Sequence, residues 1–201
     1  MVVSLQLRAG VGRLSADAMP RTLDEQKRDF ASRRFLAMPL AGMIAWGVIG
    51  VAGATLAPFP ATMVLFIATG SIAYLGMFIS RFTGEHFLDR TKPRNRFDSL
   101  FFHTVGMALL VFAIAIPFFL VDYTSLPLTV GILTGLMWLP TSWLMEHWVG
   151  IFHALTRTFA VVGAWYLWPE SRFVVIPIVI VLIYAATIVI LETRWRRLRQ
   201  A

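Results

Sequence analysis

The segment Met145–Arg157, with the sequence MEHWVGIFHALTR, decides how this chain folds. Glu146, His147, His153 and Arg157 stand in it, and an almost uninterrupted apolar run lies on each side. Ionisable groups in such a place mark either a turn at a membrane surface or a polar site inside the membrane. The lengths of the apolar runs and the distribution of charge decide which interpretation applies to each residue.

The composition of the whole chain is typical of an integral membrane protein. Of 201 residues, 58% are hydrophobic and only 14% are charged, which is too apolar for an ordinary soluble domain. Runs of about 20 apolar residues are long enough to cross a hydrocarbon core. We therefore predict an all-α bundle of six transmembrane helices in residues 35–191, after a cytoplasmic leader (1–34) and before a basic cytoplasmic tail (192–201). The six runs are Phe35–Ala57, Ala61–Ser80, Leu100–Val121, Leu126–Met145, Trp148–Trp168 and Phe173–Leu191.

The positions of lysine and arginine predict the orientation of the bundle. Of 18 such residues, 16 lie before Phe35, between Arg81 and Ser99, or after Leu191, and the connections on the other side hold only Arg172. Because cytoplasmic loops are enriched in Lys and Arg, both termini are predicted to be cytoplasmic. The net charge of +7 then reflects topology and attraction to a lipid bilayer with anionic headgroups. We expect no nucleic acid partner.

The leader carries one helix signal. Thr22 and Glu25 have the spacing of a capping box, and Leu23 and Phe30 fall on one face with cations. This pattern predicts a short interfacial amphipathic helix that leads into the first span, with a solvated leader as the alternative. Residues 1–18 show no periodicity, so Met19 is an alternative start.

Small residues recur at the four-residue spacing that lets membrane helices approach closely. They predict either a compact bundle or association with a second copy or another membrane protein. The pairs are Gly50/Ala54, Gly76/Ser80, Gly131/Gly135 and Gly150/Ala154.

Tryptophans place the turn of the quoted segment. Trp143 and Trp148 bracket Glu146 and His147, and tryptophan concentrates at membrane–water interfaces. The chain is therefore predicted to turn near Glu146 at the cytoplasmic surface. Glu146 and His147 then contact water and need no special explanation.

Arg157 and His153 lie deeper. Arg157 follows Trp148 by nine residues, or about 13 Å along a helix, and shares a helix face with His153. We predict that this face points into the bundle. On a structural interpretation, Pro140 frees the carbonyl of Leu136. Antiparallel counting then brings that carbonyl level with Arg157, with the Thr141 and Ser142 hydroxyls nearby.

Two functional interpretations use the same polar intramembrane residues. Arg157, His153 and Glu146 are candidates for a small transporter or channel for an anion or protons. His103 and His153 are candidates for ligands in a metal- or haem-dependent membrane enzyme. Cysteine is absent, and the common hydrolase, zinc-protease and nucleotide-binding motifs are missing. We therefore predict a non-enzymatic accessory or structural membrane subunit without a cofactor.

Residues 22–191 resemble a bacterial family of small multi-pass membrane proteins known only as a domain of unknown function. The resemblance is carried by DEQKRDFASRR running into FLAMPLAG, by SLFFHTVGMALLV after the polar loop, and by GLMWLPTSWL in the fourth run. It implies a multi-pass membrane fold and supplies no activity and no catalytic residues.

Overall fold

The computed structural model describes residues 21–87, 89 and 95–200, and this part of the chain is helical without a strand. The all-α prediction is confirmed. The alternative start at Met19 lies outside the described residues. The helices are α1 (Leu23–Ala31), α2 (Ala37–Thr55), α3 (Pro58–Thr83), α4 (Arg96–Leu110), α5 (Phe112–Val121), α6 (Leu126–Leu133), α7 (Trp138–Leu144), α8 (Val149–Leu167) and α9 (Arg172–Gln200).

Four helices of the described part are long and apolar enough to cross a membrane. They are α2, α3, the continuous stretch α4–α5 and α9, which correspond to the first, second, third and sixth predicted runs. α3 begins at Pro58, so residues predicted to form a connection make its first turn. α8 has 19 residues, but His153 and Arg157 lower its hydropathy.

The fourth predicted run is not one helix. Residues 134–137 form turns between α6 and α7, so the expected 20-residue span is split into two short helices. Pro140 lacks an N–H and cannot bond the carbonyl of Leu136 in helical register. That carbonyl accepts instead from the Leu139 N–H at 3.1 Å. The chain thus tightens before the proline, and no carbonyl is left open at Leu136.

The helices form one bundle around α2 and α9. α2 packs along α3 on one side and α9 on the other, while α8 packs on α6, α7 and α9. α7 and α8 approach closely at Gly150, where a Cβ atom would overlap the carbonyl of Trp138. The small residue predicted to allow close packing at this position does so. α4–α5 lies at the periphery, with most of its apolar surface exposed.

α1 is docked against the end of this bundle. The predicted capping box is present, because Thr22 and Glu25 each accept the other's backbone N–H. Phe30 is buried, and the Lys27 ammonium lies 2.7 Å from Glu146. Arg194 of α9 donates to the carbonyls of Ala31 and Met145. α1 therefore holds the ends of α7 and α9 together.

Glu85 closes the start of α2. Gly84 follows α3 and has the left-handed conformation, with φ 79°, and the next residue, Glu85, turns back into the bundle. One Glu85 oxygen accepts the N–H groups of Leu36 and Ala37 at 2.7 and 2.9 Å. These donors have no partner inside the helix, so the side-chain carboxyl group of Glu85 caps α2.

Burial raises the pKa of Glu85 above its ordinary value of 4.5, although the Ala37 and Leu36 hydrogen bonds oppose the shift. The folded protein therefore holds this proton more tightly than the unfolded chain does. The resulting stability is fully present below pH 4.5 and is lost as the pH rises through the raised pKa.

Glu85→Gln keeps an acceptor but cannot titrate. We expect the unfolding free energy of the wild type to fall relative to this variant as the pH rises above 4.5. Glu85→Ala should lose about 1–3 kcal/mol at every pH, because two N–H groups lose their acceptor. Unfolding in detergent across a pH series measures both effects. Parallel curves for the wild type and Glu85→Gln would contradict the assignment.

Candidate functional site

Arg157 is enclosed by protein. Its side chain is 0% exposed, so its face points into the bundle as predicted. Nε donates to the carbonyl of Gly131 at 2.6 Å, and the two terminal nitrogens donate to the Thr134 hydroxyl at 2.8 Å and the Tyr184 hydroxyl at 3.1 Å. A single guanidinium therefore joins α8 to the end of α6 and to α9.

The break after α6 creates the acceptor that Arg157 uses. In an uninterrupted helix the Gly135 N–H would bond the carbonyl of Gly131, but here it donates to Ile132 at 2.8 Å. The Gly131 carbonyl is therefore without a helical donor. Gly135 also leaves room for Arg157, because a Cβ atom there would lie 2.9 Å from Arg157 Cδ. The break and the arginine fit each other in space and in hydrogen bonding.

The predicted partners of Arg157 were the wrong atoms. The hydroxyls of Thr141 and Ser142 bond backbone carbonyls of their own segment, at Met137 and His147. The break falls before Pro140 rather than at it. The long side chain of Arg157 also extends beyond the depth of its own Cα, to the carbonyl of Gly131. Arg157 does bond a fourth-run carbonyl that lacks a helical donor, but this carbonyl is that of Gly131, and the turns at residues 134–137 release it rather than Pro140.

The charge of Arg157 faces aromatic rings. Its guanidinium carbon lies 5.3 Å from the Trp46 ring centroid and 5.5 Å from that of Tyr184, within cation–π distance. Gly42 makes room for Tyr184, because a Cβ atom there would overlap the tyrosine ring. Among the described residues no carboxylate forms an ion pair with Arg157. The charge is thus stabilised by dipoles and rings alone.

His153 lies one turn before Arg157 and is also 0% exposed. Its ring stacks on Trp138 at 4.4 Å, and Nδ1 lies 2.9 Å from the Thr187 hydroxyl oxygen. Thr187 lies 2.8 Å from the carbonyl of Ile183, to which its hydroxyl donates, and this arrangement favours Nδ1 as the donor in the other bond. Nε2 is then an acceptor, and it has no partner in the described part of the chain.

Arg157, His153 and the residues that contact them form one buried polar cluster. Glu146 lies at the hairpin turn, apart from this cluster. The turn forms as predicted, between α7 and α8. Glu146 has a φ of 51° and takes the left-handed position that glycine usually occupies after a helix. The neighbouring His147 N–H donates to the carbonyl of Ser142 at 3.1 Å. The Glu146 carboxylate pairs with Lys27, and its side chain is half exposed.

His103 also lies apart. It is exposed on α4, where Nδ1 donates to the carbonyl of Ser99 in its own helix at 2.6 Å. The structure therefore brings together two of the four candidate residues, Arg157 and His153. Within residues 21–87, 89 and 95–200, no group of three His, Cys, Asp or Glu side chains could hold a metal ion.

Four partners of Arg157 were not predicted from the sequence, namely Trp46, Gly131, Thr134 and Tyr184. Two of them carry a recognisable signal, because Trp46 and Tyr184 fall in the middle of apolar runs, whereas such residues normally mark membrane interfaces. Gly131 and Thr134 carry no comparable signal, since their part depends on where the helix breaks.

The fold and the cluster define a class of protein. In its described residues the chain is helical, with four long apolar helices that suggest a membrane protein and a polar cluster around buried Arg157. The chain belongs to DUF7010, a family of unknown function whose model matches residues 23–194. Comparison with curated proteins gives no match. Comparison with solved structures gives none either.

Arg157→Lys should destabilise the protein more than Arg157→Leu. Lysine keeps a buried charge but presents one ammonium in place of a fork that reaches three acceptors. Leucine leaves the Gly131 carbonyl unpaired, at about 1–3 kcal/mol, and removes a buried charge that costs about 2.5–3.5 kcal/mol on insertion scales. The net change for leucine should be small. Thermal unfolding in detergent measures the relative stabilities of the two variants and the wild type. A lysine variant as stable as the wild type would contradict the prediction.

Proposed function

We propose that this chain is a multi-pass protein of a bacterial inner membrane, with six membrane segments and both termini in the cytoplasm. Four long apolar helices support the membrane location. The α6–α7 pair and α8 form a hairpin of similar total length, which we assign as the fourth and fifth segments. The distribution of Lys and Arg supports the orientation.

Because the chain has no cysteine, single-cysteine variants test this topology directly. In intact cells, Glu146→Cys and Gln200→Cys should resist a membrane-impermeant thiol reagent and react only after lysis. Glu170→Cys should react in intact cells. Labelling of Glu146→Cys from outside would contradict six segments, since the hairpin would then not reach the cytoplasm. The cysteine-free wild type is the control.

Within this membrane we propose a non-enzymatic role, as an accessory or structural subunit that binds another membrane protein or a second copy of itself. The observation that carries this proposal is the closure of the Arg157 cluster. Each guanidinium nitrogen has a protein acceptor, and the side chain has no exposed surface. The most polar group within the apolar runs is therefore engaged in holding the fold.

Transport of an anion or of protons is a second candidate. Two observations favour it. Arg157 has no ion-pair partner among the described residues. His153 Nε2 is buried and has no hydrogen-bond partner in the described part of the chain. An unbalanced cation inside a membrane bundle attracts anions, and a bare imidazole nitrogen accepts protons.

Flux measurements on purified protein in liposomes separate the two candidates. For the structural role we expect proton and chloride fluxes equal to those of protein-free liposomes, for the wild type and for Arg157→Leu. The transport candidate requires flux with the wild type that Arg157→Leu abolishes while the variant stays folded. Such a result would overturn the structural proposal.

A further inference from the structure

A cleft of about 510 Å³ opens where α1, α3 and α9 meet. One wall is the turn after α1, with Arg33 and Arg34, and another is the end of α3. The last turns of α9 complete it with Trp195 and Arg199. In the proposed topology, on which this inference rests, the cleft lies at the cytoplasmic membrane surface.

Two of the three arginines that line the cleft lie against the Trp195 ring. The guanidinium carbons of Arg34 and Arg199 lie 4.6 and 4.4 Å from the centroid of Trp195. Trp195 is half-buried, while Arg199 is exposed. Arg34 bonds Glu192 through Nε at 2.9 Å, but Arg199 forms no ion pair with a described carboxylate. A cationic group is therefore held against an indole and remains open to a ligand.

The acidic groups of the cleft are engaged elsewhere. Asp29 accepts hydrogen bonds from Asn95 at 2.9 Å and from Arg33 at 3.3 Å. Glu85 directs one oxygen to the start of α2. Arg33 pairs with Asp98 and Arg34 with Glu192, so the exposed guanidinium of Arg199 is the cation that the cleft offers to an anion.

We propose that this cleft binds the phosphate headgroup of an anionic phospholipid. Arginine matches phosphate oxygens in geometry and charge, and basic pockets at the cytoplasmic ends of membrane helices hold such headgroups. Trp195 has the place that indoles take at the interface, with an apolar body toward the lipid. Arg199 and Arg34 contact the phosphate, and the acyl chains lie along the outer surface of the bundle.

The test measures lipid binding to the full chain in detergent by native mass spectrometry, with phosphatidylglycerol and phosphatidylcholine as probes. Phosphatidylglycerol should bind the wild type about fivefold more tightly. Arg199→Gln should abolish this preference. Arg197→Gln is the matched control, because Arg197 is on the same helix and outside the cleft, and it should keep the preference.

Equal losses in the two variants would overturn the site and leave only diffuse attraction to the basic end of α9. Displacement of the lipid by equimolar glycerol phosphate would also overturn the proposal, since the ligand would then be a free phosphate compound. Detergent binding does not depend on topology. A preserved preference with contrary cysteine labelling would therefore refute the orientation alone, and a lost preference with the expected labelling would refute the site alone.

Discussion

The hydrogen bond from Arg157 to the Gly131 carbonyl satisfies the backbone group that the break in the fourth run releases. A helix that breaks among apolar neighbours exposes backbone groups that lipid cannot satisfy, and each unsatisfied group costs several kcal/mol. Here one released carbonyl meets one guanidinium at 2.6 Å. The same side chain extends to Thr134 and Tyr184, so the break is held against α8 and α9 together.

Burying the charge of Arg157 is unfavourable, and the residues around it compensate for this cost. A guanidinium without a carboxylate partner must be stabilised by dipoles and rings, and Trp46 and Tyr184 provide the rings. Two glycines provide the space, because a Cβ at Gly42 or Gly135 would meet Tyr184 or Arg157. His153 completes the layer between Trp138 and Tyr184. Close packing of this kind transmits a change at one member to the others.

Much of this could be predicted from the sequence. Run lengths and apolar composition predicted helices, the Trp143/Trp148 bracket placed the hairpin turn, and the Thr22/Glu25 spacing predicted the cap of α1. Each of these depends on residues near in sequence. The break at residues 134–137 and the choice of Gly131 as acceptor could not be predicted, because they depend on how α6, α8 and α9 fit together. Counting of depth along straight helices placed Arg157 against Leu136 for the same reason.

A double-mutant cycle tests the central claim most directly. Arg157→Leu and Thr134→Val are combined, and the unfolding free energies of all four proteins are measured in detergent. Because Thr134 accepts from Arg157 at 2.8 Å, the two changes should couple by about 1 kcal/mol. Thr62→Val is the control, since buried Thr62 bonds only carbonyls of its own helix, and its coupling should lie within about 0.5 kcal/mol of zero. Equal coupling in the two cycles, or none in either, would contradict the account.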